Sequence, residues 1–87
     1  MAKYRVLIKQ SAAKELEDVG RKRDRKRIVQ RIQSLSVNRR PHGCEKLSGR
    51  SDRYRIRQGP YRIVYSIDDD LLTVTVVKIG HRSEVYR

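Results

Sequence analysis

Residues 53–62 alternate cationic with apolar or aromatic side chains, and this pattern constrains the fold more than any other part of the chain. Arg53, Arg55 and Arg57 alternate with Tyr54 and Ile56. Because successive residues of a β-strand point to opposite faces, the three guanidinium groups should line one face at intervals of about 7 Å. This interval is close to the phosphate spacing of an extended single strand. The pattern therefore predicts a strand with a cationic, phosphate-binding face.

The first part of the chain predicts one strand followed by two helices. Residues 3–9 have the period-2 pattern of a half-buried strand. Ser11 and Asp24 are the predicted N-caps of a short helix and of a second, longer helix. The apolar stripes comprise Ala12, Leu16 and Val19 in the first helix, and Ile28, Ile32 and Leu35 in the second. The two helices should form an antiparallel hairpin.

The later part of the chain predicts a connection followed by three strands. Residues 38–53 contain proline and glycines and are expected to form a surface connection. Residues 53–57 and 61–67 should form a hairpin, residues 68–70 a turn, and residues 71–79 a central strand. The predicted order is β-α-α-β-β-β. It indicates an α+β fold with an antiparallel-dominated sheet, two helices on one face, and the other face open.

Length and charge narrow the class of protein. A chain of 87 residues is expected to form one domain, residues 1–87. Lysine and arginine total 22 against 10 acidic residues, a net charge of +12 that favours nucleic acid or an acidic protein as partner. No apolar stretch has the length of a signal peptide or membrane span, so a cytoplasmic protein without a membrane partner is expected.

Metal and cofactor chemistry find little support in the sequence. Cys44 is the single cysteine, which gives neither a disulfide nor a thiolate cluster. His42 and His81 lack a recognisable ligand spacing, and no glycine-rich phosphate loop is present. The three aspartates at 68–70 are most simply a solvated turn. We expect neither a metal nor a cofactor.

The remaining chemistry is cationic and aromatic. In the predicted hairpin, Arg55, Arg57 and Arg62 point to the same open face, and the last predicted strand delivers its end beside them. The segment after that strand carries the three functional groups of His81, Arg82 and Tyr86. Arginine suits phosphate, tyrosine can stack on a base, and histidine titrates near neutral pH. Together these groups could cleave RNA without a metal.

Several motifs carry a family resemblance. Residues 54–57 (YRIR), 59–65 (GPYRIVY) and 80–86 (GHRSEVY) resemble the RelE branch of the RelE/ParE toxin superfamily, and residues 46–49 (KLSG) also fit. The resemblance implies an mRNA interferase that enters the ribosomal A site. There the ribose 2′-hydroxyl would attack the adjacent phosphate and leave a 2′,3′-cyclic end. A cognate antitoxin would restrain the enzyme.

The resemblance also implies the site residues. Position by position, the activity-carrying residues of RelE enzymes fall on Arg55, Arg57, Arg62, Arg82 and Tyr86. Arginine stands at 55 and 57 where lysine is familiar, and arginine is a poor general base. Our hypothesis is that Arg55 and Arg57 bind and polarise the phosphate, and that Arg62 stabilises the pentacoordinate charge. Tyr86 would stack or orient the base. Proton transfer would fall to His81, or Arg82 could assist the 5′-oxygen leaving group instead.

Further basic residues are candidates for RNA contacts outside the catalytic set. These are Arg53 at the strand edge and Arg21, Lys22 and Arg23 at the helix junction, which could grip ribosomal RNA. In each case the simpler interpretation is a solvated surface charge.

Two other functions remain open at this point. One is a ParE-like toxin that poisons DNA gyrase without cleaving RNA, against which the arginine and tyrosine set argues. The other is an RNA-binding module without turnover. Its binding to RNA would show the same salt dependence as that of an RNA-cleaving enzyme. Cleavage alone separates an enzyme from such a module.

Overall fold

The computed structural model describes residues 3–47, 49 and 52–81. Within them the elements are β1 (Arg5–Ile8), α1 (Gln10–Glu17), α2 (Lys22–Ser34), β2 (Glu45–Lys46), β3 (Arg53–Gln58), β4 (Tyr61–Asp68) and β5 (Thr73–His81). The predicted α+β class is confirmed. Neither α1 nor α2 is long and apolar enough to cross a membrane.

The strands form one mixed sheet in the order β1-β5-β4-β3-β2. β1 runs parallel to β5, whereas the other three pairs are antiparallel, as predicted for the sheet as a whole. The predicted hairpin is present as β3 and β4. The predicted connection at residues 38–53 is corrected by β2, in which Glu45 pairs with Arg55 and Lys46 with Tyr54. A strand of two residues is too short to show a period-2 pattern in the sequence. β2 is recognised only by its pairing with the edge of β3.

Both helices cover the same face of the sheet. The helices and the α1–α2 connection contribute apolar side chains to a single core with β3, β4 and β5, whose members are Ala12, Val19, Ile28, Ile32, Leu35, Ile56, Ile63, Tyr65, Ile67, Val74, Val76 and Ile79. The predicted stripe of the second helix is therefore buried. Within the described part of the chain, no helix lies on the opposite face of the sheet, which is called the helix-free face below.

The helices begin earlier than predicted. α1 starts at Gln10 and α2 at Lys22, with Lys9 and Arg21 as N-caps that make no side-chain cap hydrogen bond. The chain passes directly from β1 into α1, because the Lys9 amide still donates to Val76 of β5 while its carbonyl accepts from the first turn of the helix. The predicted caps Ser11 and Asp24 are instead inside their helices.

The turn before β5 is longer than predicted. The Asp68 carboxylate accepts hydrogen bonds from the amides of Asp70 and Leu71, at 3.0 and 2.9 Å. Leu72 then adopts a positive φ of 50°, a left-handed conformation that a strand does not allow. β5 therefore begins at Thr73, two residues later than the sequence pattern indicates.

A β-bulge reverses the faces of β5. The register shifts between Val64 and Tyr65 of β4, where β5 supplies one extra residue, Val77. An extra residue inverts the alternation of every side chain after it. Val76 and Ile79 consequently both face the helices although they are three positions apart, and both are buried.

Candidate active site

The register of β3 and β4 places four arginines on the helix-free face. Arg57 lies directly opposite Arg62, Arg55 opposite Val64, and Arg53 opposite Ser66. Directly opposed residues project from the same side of a sheet. The alternate residues of both strands are in the core on the other side. The cationic face predicted from the sequence is thus the face on which neither α1 nor α2 packs.

The arginines of this face differ sharply in exposure. Arg57 is exposed, and Arg53 and Arg55 are partly buried. Arg62 was expected on the open surface but retains only 4% exposure, and its Nη1 donates to the Tyr61 carbonyl at 3.3 Å. Arg62 lies in β4, between β3 and β5, and its cross-strand neighbours are Arg57 and Gly80. Arg62 is therefore held in place within the sheet, whereas Arg57 reaches into solvent.

Arg55 contacts an acidic residue, and the sequence did not indicate this contact. The Nη2 of Arg55 donates to Oε2 of Glu45 at 2.6 Å. The side chain of Arg55 is 14% exposed and that of Glu45 is 55% exposed. Their strands pair at these two residues, so the ion pair is a consequence of β2. No sequence signal could have found it, because β2 itself has none.

His81 lies on the other side of the sheet from Arg62. It pairs with Tyr61 across the β4–β5 ladder, and the two rings meet edge to face with centroids 6.0 Å apart. Strict alternation from Val76 would have put His81 on the helix-free face, but the β-bulge reverses its side. The expectation that the end of β5 brings His81 beside the arginines is therefore corrected.

His81 and Tyr61 instead border a cavity of about 410 Å³ near α1. Glu15 of α1 also lines this cavity, accepting from the Lys78 amine at 2.9 Å and from the Ile79 amide at 3.1 Å. These bonds fasten α1 to the end of β5 that β1 does not cover. The predicted site residues Arg82 and Tyr86 lie outside the described residues.

The basic helix junction is separate from the cationic sheet face. Arg21, Lys22 and Arg23 are exposed at the start of α2. At a rise of about 1.5 Å per residue, Arg31 lies about 13 Å further along the helix axis than Lys22. It is Arg31 that approaches the β3–β4 turn, where its Nη2 contacts the Arg57 carbonyl at 3.5 Å. The structure therefore does not bring the junction together with the sheet arginines.

A second cluster of charged and aromatic groups lies at the β4–β5 turn, at the end of β4 opposite to the β3–β4 turn. Tyr4 donates its hydroxyl to Asp69 at 2.6 Å, and Arg40 contacts the other oxygen of that carboxylate at 3.3 Å. The Tyr4 hydrogen bond, followed by Arg40, lowers the pKa of Asp69, while Asp69 raises the pKa of Tyr4. Arg39 stacks over the Tyr4 ring at 3.8 Å. The cluster ties β1, the α2–β2 connection and the β4–β5 turn together.

Tyr65 anchors the α2–β2 connection from inside the core. Its hydroxyl donates to the Arg39 carbonyl at 2.6 Å, and its ring stacks with Tyr54 at 6.0 Å. Burial is the main reason that the pKa of Tyr65 is raised. This tyrosine was expected in the core, and it is fully buried. The connection that leads into β2 is thus anchored at Arg39.

Comparison with known proteins identifies this architecture. The model of the ParE toxin family of type II toxin–antitoxin systems matches residues 6–86. A chain of the archaeal RelE–RelB complex from Pyrococcus horikoshii superimposes with a TM-score of 0.81 at 28% identity, covering 92% of this chain and 96% of that one. The isolated Escherichia coli RelE toxin superimposes with a TM-score of 0.78 at 30% identity, covering 95% and 90%. The fold is that of a RelE/ParE superfamily toxin.

Sequence relatives define the branch. The mRNA interferase toxin RelE of Escherichia coli K12 is 34% identical over 82 residues, which cover 86% of this chain and 81% of the relative. Toxin RelG of Mycobacterium tuberculosis is 41% identical over 34 residues, 39% of each chain. The chain belongs to the RelE branch of the superfamily, as the motifs indicated.

Proposed function

We propose that this chain is the toxin of a type II toxin–antitoxin system and that it cleaves messenger RNA as an endoribonuclease. The observation that carries the proposal is the direct pairing of Arg57 with Arg62 on the helix-free face, beside Arg55. Cross-strand neighbours of this kind lie about 5 Å apart at their Cα atoms, so two guanidinium groups can contact one phosphate. The RelE relatives that carry the name mRNA interferase support the same activity.

The reaction assigned to this face is transesterification within the RNA chain. The ribose 2′-oxygen forms a bond to the adjacent phosphorus, the bond from phosphorus to the 5′-oxygen breaks, and the products are a 2′,3′-cyclic phosphate and a 5′-hydroxyl. One proton leaves the attacking hydroxyl and one reaches the leaving oxygen. The arginines contribute by stabilising the charge that develops on the phosphate oxygens.

The three arginines have different tasks in this proposal. Arg62 is buried and its geometry is fixed before RNA binds, so it is assigned the stabilisation of the pentacoordinate phosphate. Arg57 is exposed and binds the incoming phosphate. Arg55 binds and polarises the same backbone. None of them is a general base, since arginine stays protonated.

Proton transfer and base stacking are assigned from the resemblance. Arg82 assists the leaving 5′-oxygen and Tyr86 stacks on or orients the base. The resemblance assigns proton transfer to His81, yet His81 lies on the other side of the sheet from Arg62, so this step requires a geometry other than the one described. A rate of cleavage that is independent of pH between 5 and 8 and unchanged by His81→Ala would remove His81 from the mechanism.

The proposed setting is the cytoplasm, with the messenger bound in the ribosomal A site. Arg21, Lys22, Arg23 and Arg53 are proposed as additional contacts to ribosomal or messenger RNA. Solved structures of relatives include RelE–RelB toxin–antitoxin complexes, so a cognate antitoxin is the proposed protein partner. A net charge of +12 favours an acidic antitoxin segment. No cofactor or metal is assigned.

The experiment is cleavage of a defined messenger by the purified protein, with translating ribosomes and without them. EDTA is added only to the ribosome-free reaction, since ribosomes need magnesium. Cuts that end in a cyclic phosphate, reduced about fivefold in Arg57→Ala at subsaturating toxin but unchanged in Arg5→Ala, support the proposal. Arg5 is a matched control because it is an exposed arginine in the edge strand β1.

The matching family model is named for ParE, which makes a gyrase poison the second candidate. The cationic pair of Arg57 and Arg62 favours RNA cleavage over it. Absence of cleavage in both reactions, with inhibition of gyrase supercoiling, would replace the proposed function by this one. RNA binding without cleavage or gyrase inhibition would indicate a non-catalytic RNA-binding module.

A further inference from the structure

One carboxylate stands within the cationic face itself. Glu45 of β2 lies directly opposite Arg55 of β3, and the two side chains project from the same side of the sheet. The contact between Glu45 Oε2 and Arg55 Nη2 is 2.6 Å, which is within hydrogen-bond distance, so the two charges form a direct ion pair. The guanidinium that should meet RNA is thus already bound to an anion.

The two partners of this ion pair differ in exposure, and the difference bears on whether an RNA phosphate can replace Glu45 at Arg55. Arg55 is largely covered, at 14% side-chain exposure, whereas Glu45 is 55% exposed. An exposed carboxylate regains its hydration when it leaves its partner, so the exposure of Glu45 allows another anion to replace it at Arg55. Two oxygens of a tetrahedral phosphate can likewise accept two parallel N–H bonds from a guanidinium, so a phosphate can take the place of the carboxylate.

We propose that Glu45 is an internal anion that competes with RNA for Arg55 and thereby sets the affinity and salt dependence of RNA binding. The inference rests on the proposed function, because it needs the helix-free face to be the RNA-binding face. Glu45 acts through Arg55 and is a positioning residue. RNA binding then exchanges one ion pair for another at Arg55, whereas at the exposed Arg57 it adds a new one.

The test is the binding of a single-stranded 2′-O-methyl oligonucleotide, which has no free 2′-hydroxyl and cannot be cut. We expect Glu45→Gln to lower the dissociation constant about threefold to fivefold at about 0.1 M salt. The slope of log affinity against log salt should steepen by about 0.7, as for one more phosphate contact on a single strand. Glu17→Gln removes the same charge from an exposed position of α1 and should change neither value.

A double-mutant cycle with Arg55→Gln separates competition from simple repulsion of RNA by the carboxylate. If Glu45 acts through Arg55, then Glu45→Gln should change affinity less than about twofold once Arg55→Gln is present. An equal gain in both backgrounds overturns the inference, and so does unchanged or weaker binding by Glu45→Gln alone. Thermal melts of all variants exclude a folding defect as the cause.

Failure of this inference is distinguishable from failure of the proposed function. The wild-type protein is assayed in parallel for cleavage of a messenger on ribosomes. If the wild type cleaves but the cycle shows no coupling, then only the role of Glu45 is wrong. If the wild type does not cleave, then the proposed function is wrong, while the binding cycle still decides whether Glu45 competes for Arg55.

Discussion

Arg57 and Arg62 are neighbours across the β3–β4 ladder, yet their different burial predicts different kinetic defects. Arg62 is 4% exposed and its guanidinium acts where water is largely excluded. At an effective dielectric constant of 20, a unit charge about 4 Å away contributes about 4 kcal/mol. Removal of a preorganised donor of this kind typically costs about 10²–10³-fold in kcat. We therefore expect Arg62→Ala to lower the maximal cleavage rate by that factor with little change in binding.

Arg57 should behave as a binding residue. It is exposed, so an ion pair with phosphate is screened and contributes about 1 kcal/mol. We expect Arg57→Ala to weaken RNA binding about fivefold and to make the salt slope about 0.7 shallower, with a smaller effect on the maximal rate.

Single-turnover cleavage on programmed ribosomes, with toxin in excess and varied in concentration, separates the two effects. The maximal rate constant reports charge stabilisation, and the half-saturating concentration reports binding. Because Arg62 is buried, its variants also need a thermal melt, and Arg62→Lys retains the charge without the planar fork. A larger loss of maximal rate in Arg57→Ala than in a folded Arg62→Ala would refute the reasoning from burial.

Three further predictions concern stability. Tyr65→Phe should lower the free energy of unfolding by about 1–2 kcal/mol in urea, because the buried hydrogen bond to the Arg39 carbonyl is lost. The lowered pKa of Asp69 means that its contribution is present above the unfolded pKa of about 3.9 and is lost as pH falls through the folded value. Asp69→Asn should therefore flatten the fall in stability below about pH 4, measured by urea unfolding from pH 3 to 6; an unchanged slope would contradict it. Ile32→Ala should cost about 2–5 kcal/mol in urea unfolding, since Ile32 is 2% exposed. The control for Ile32→Ala is Val37→Ala, which at 58% exposure should change stability by less than about 0.5 kcal/mol.

The cationic face was predictable because it depends on a local rule. The alternation of Arg55, Ile56 and Arg57 fixes which side chains share a face as soon as the segment is a strand. The buried stripe of α2 follows from helical periodicity in the same way. Both patterns follow from the geometry of a local backbone segment, so residues distant in the sequence are not needed to predict them.

The features that were not predicted depend on distant residues. β2 has two residues and owes its existence to the edge of β3, so Glu45 could not be placed against Arg55. The burial of Arg62 has no local signal either, because the same alternation that predicts its face also predicts that of the exposed Arg57. The side on which His81 lies was reversed by one extra residue at Val77, which a period-2 reading cannot detect.

The central position of β5 also governs when this protein can fold during synthesis. β5 lies between β1 and β4, so β1 has no strand to pair with until residues 73–81 have left the ribosome. Pairing over such a distance along the chain slows folding, because the intervening loop must close before any hydrogen bond forms. The cationic face of β3 and β4 therefore gains the support of a complete sheet only after β5 has emerged from the ribosome.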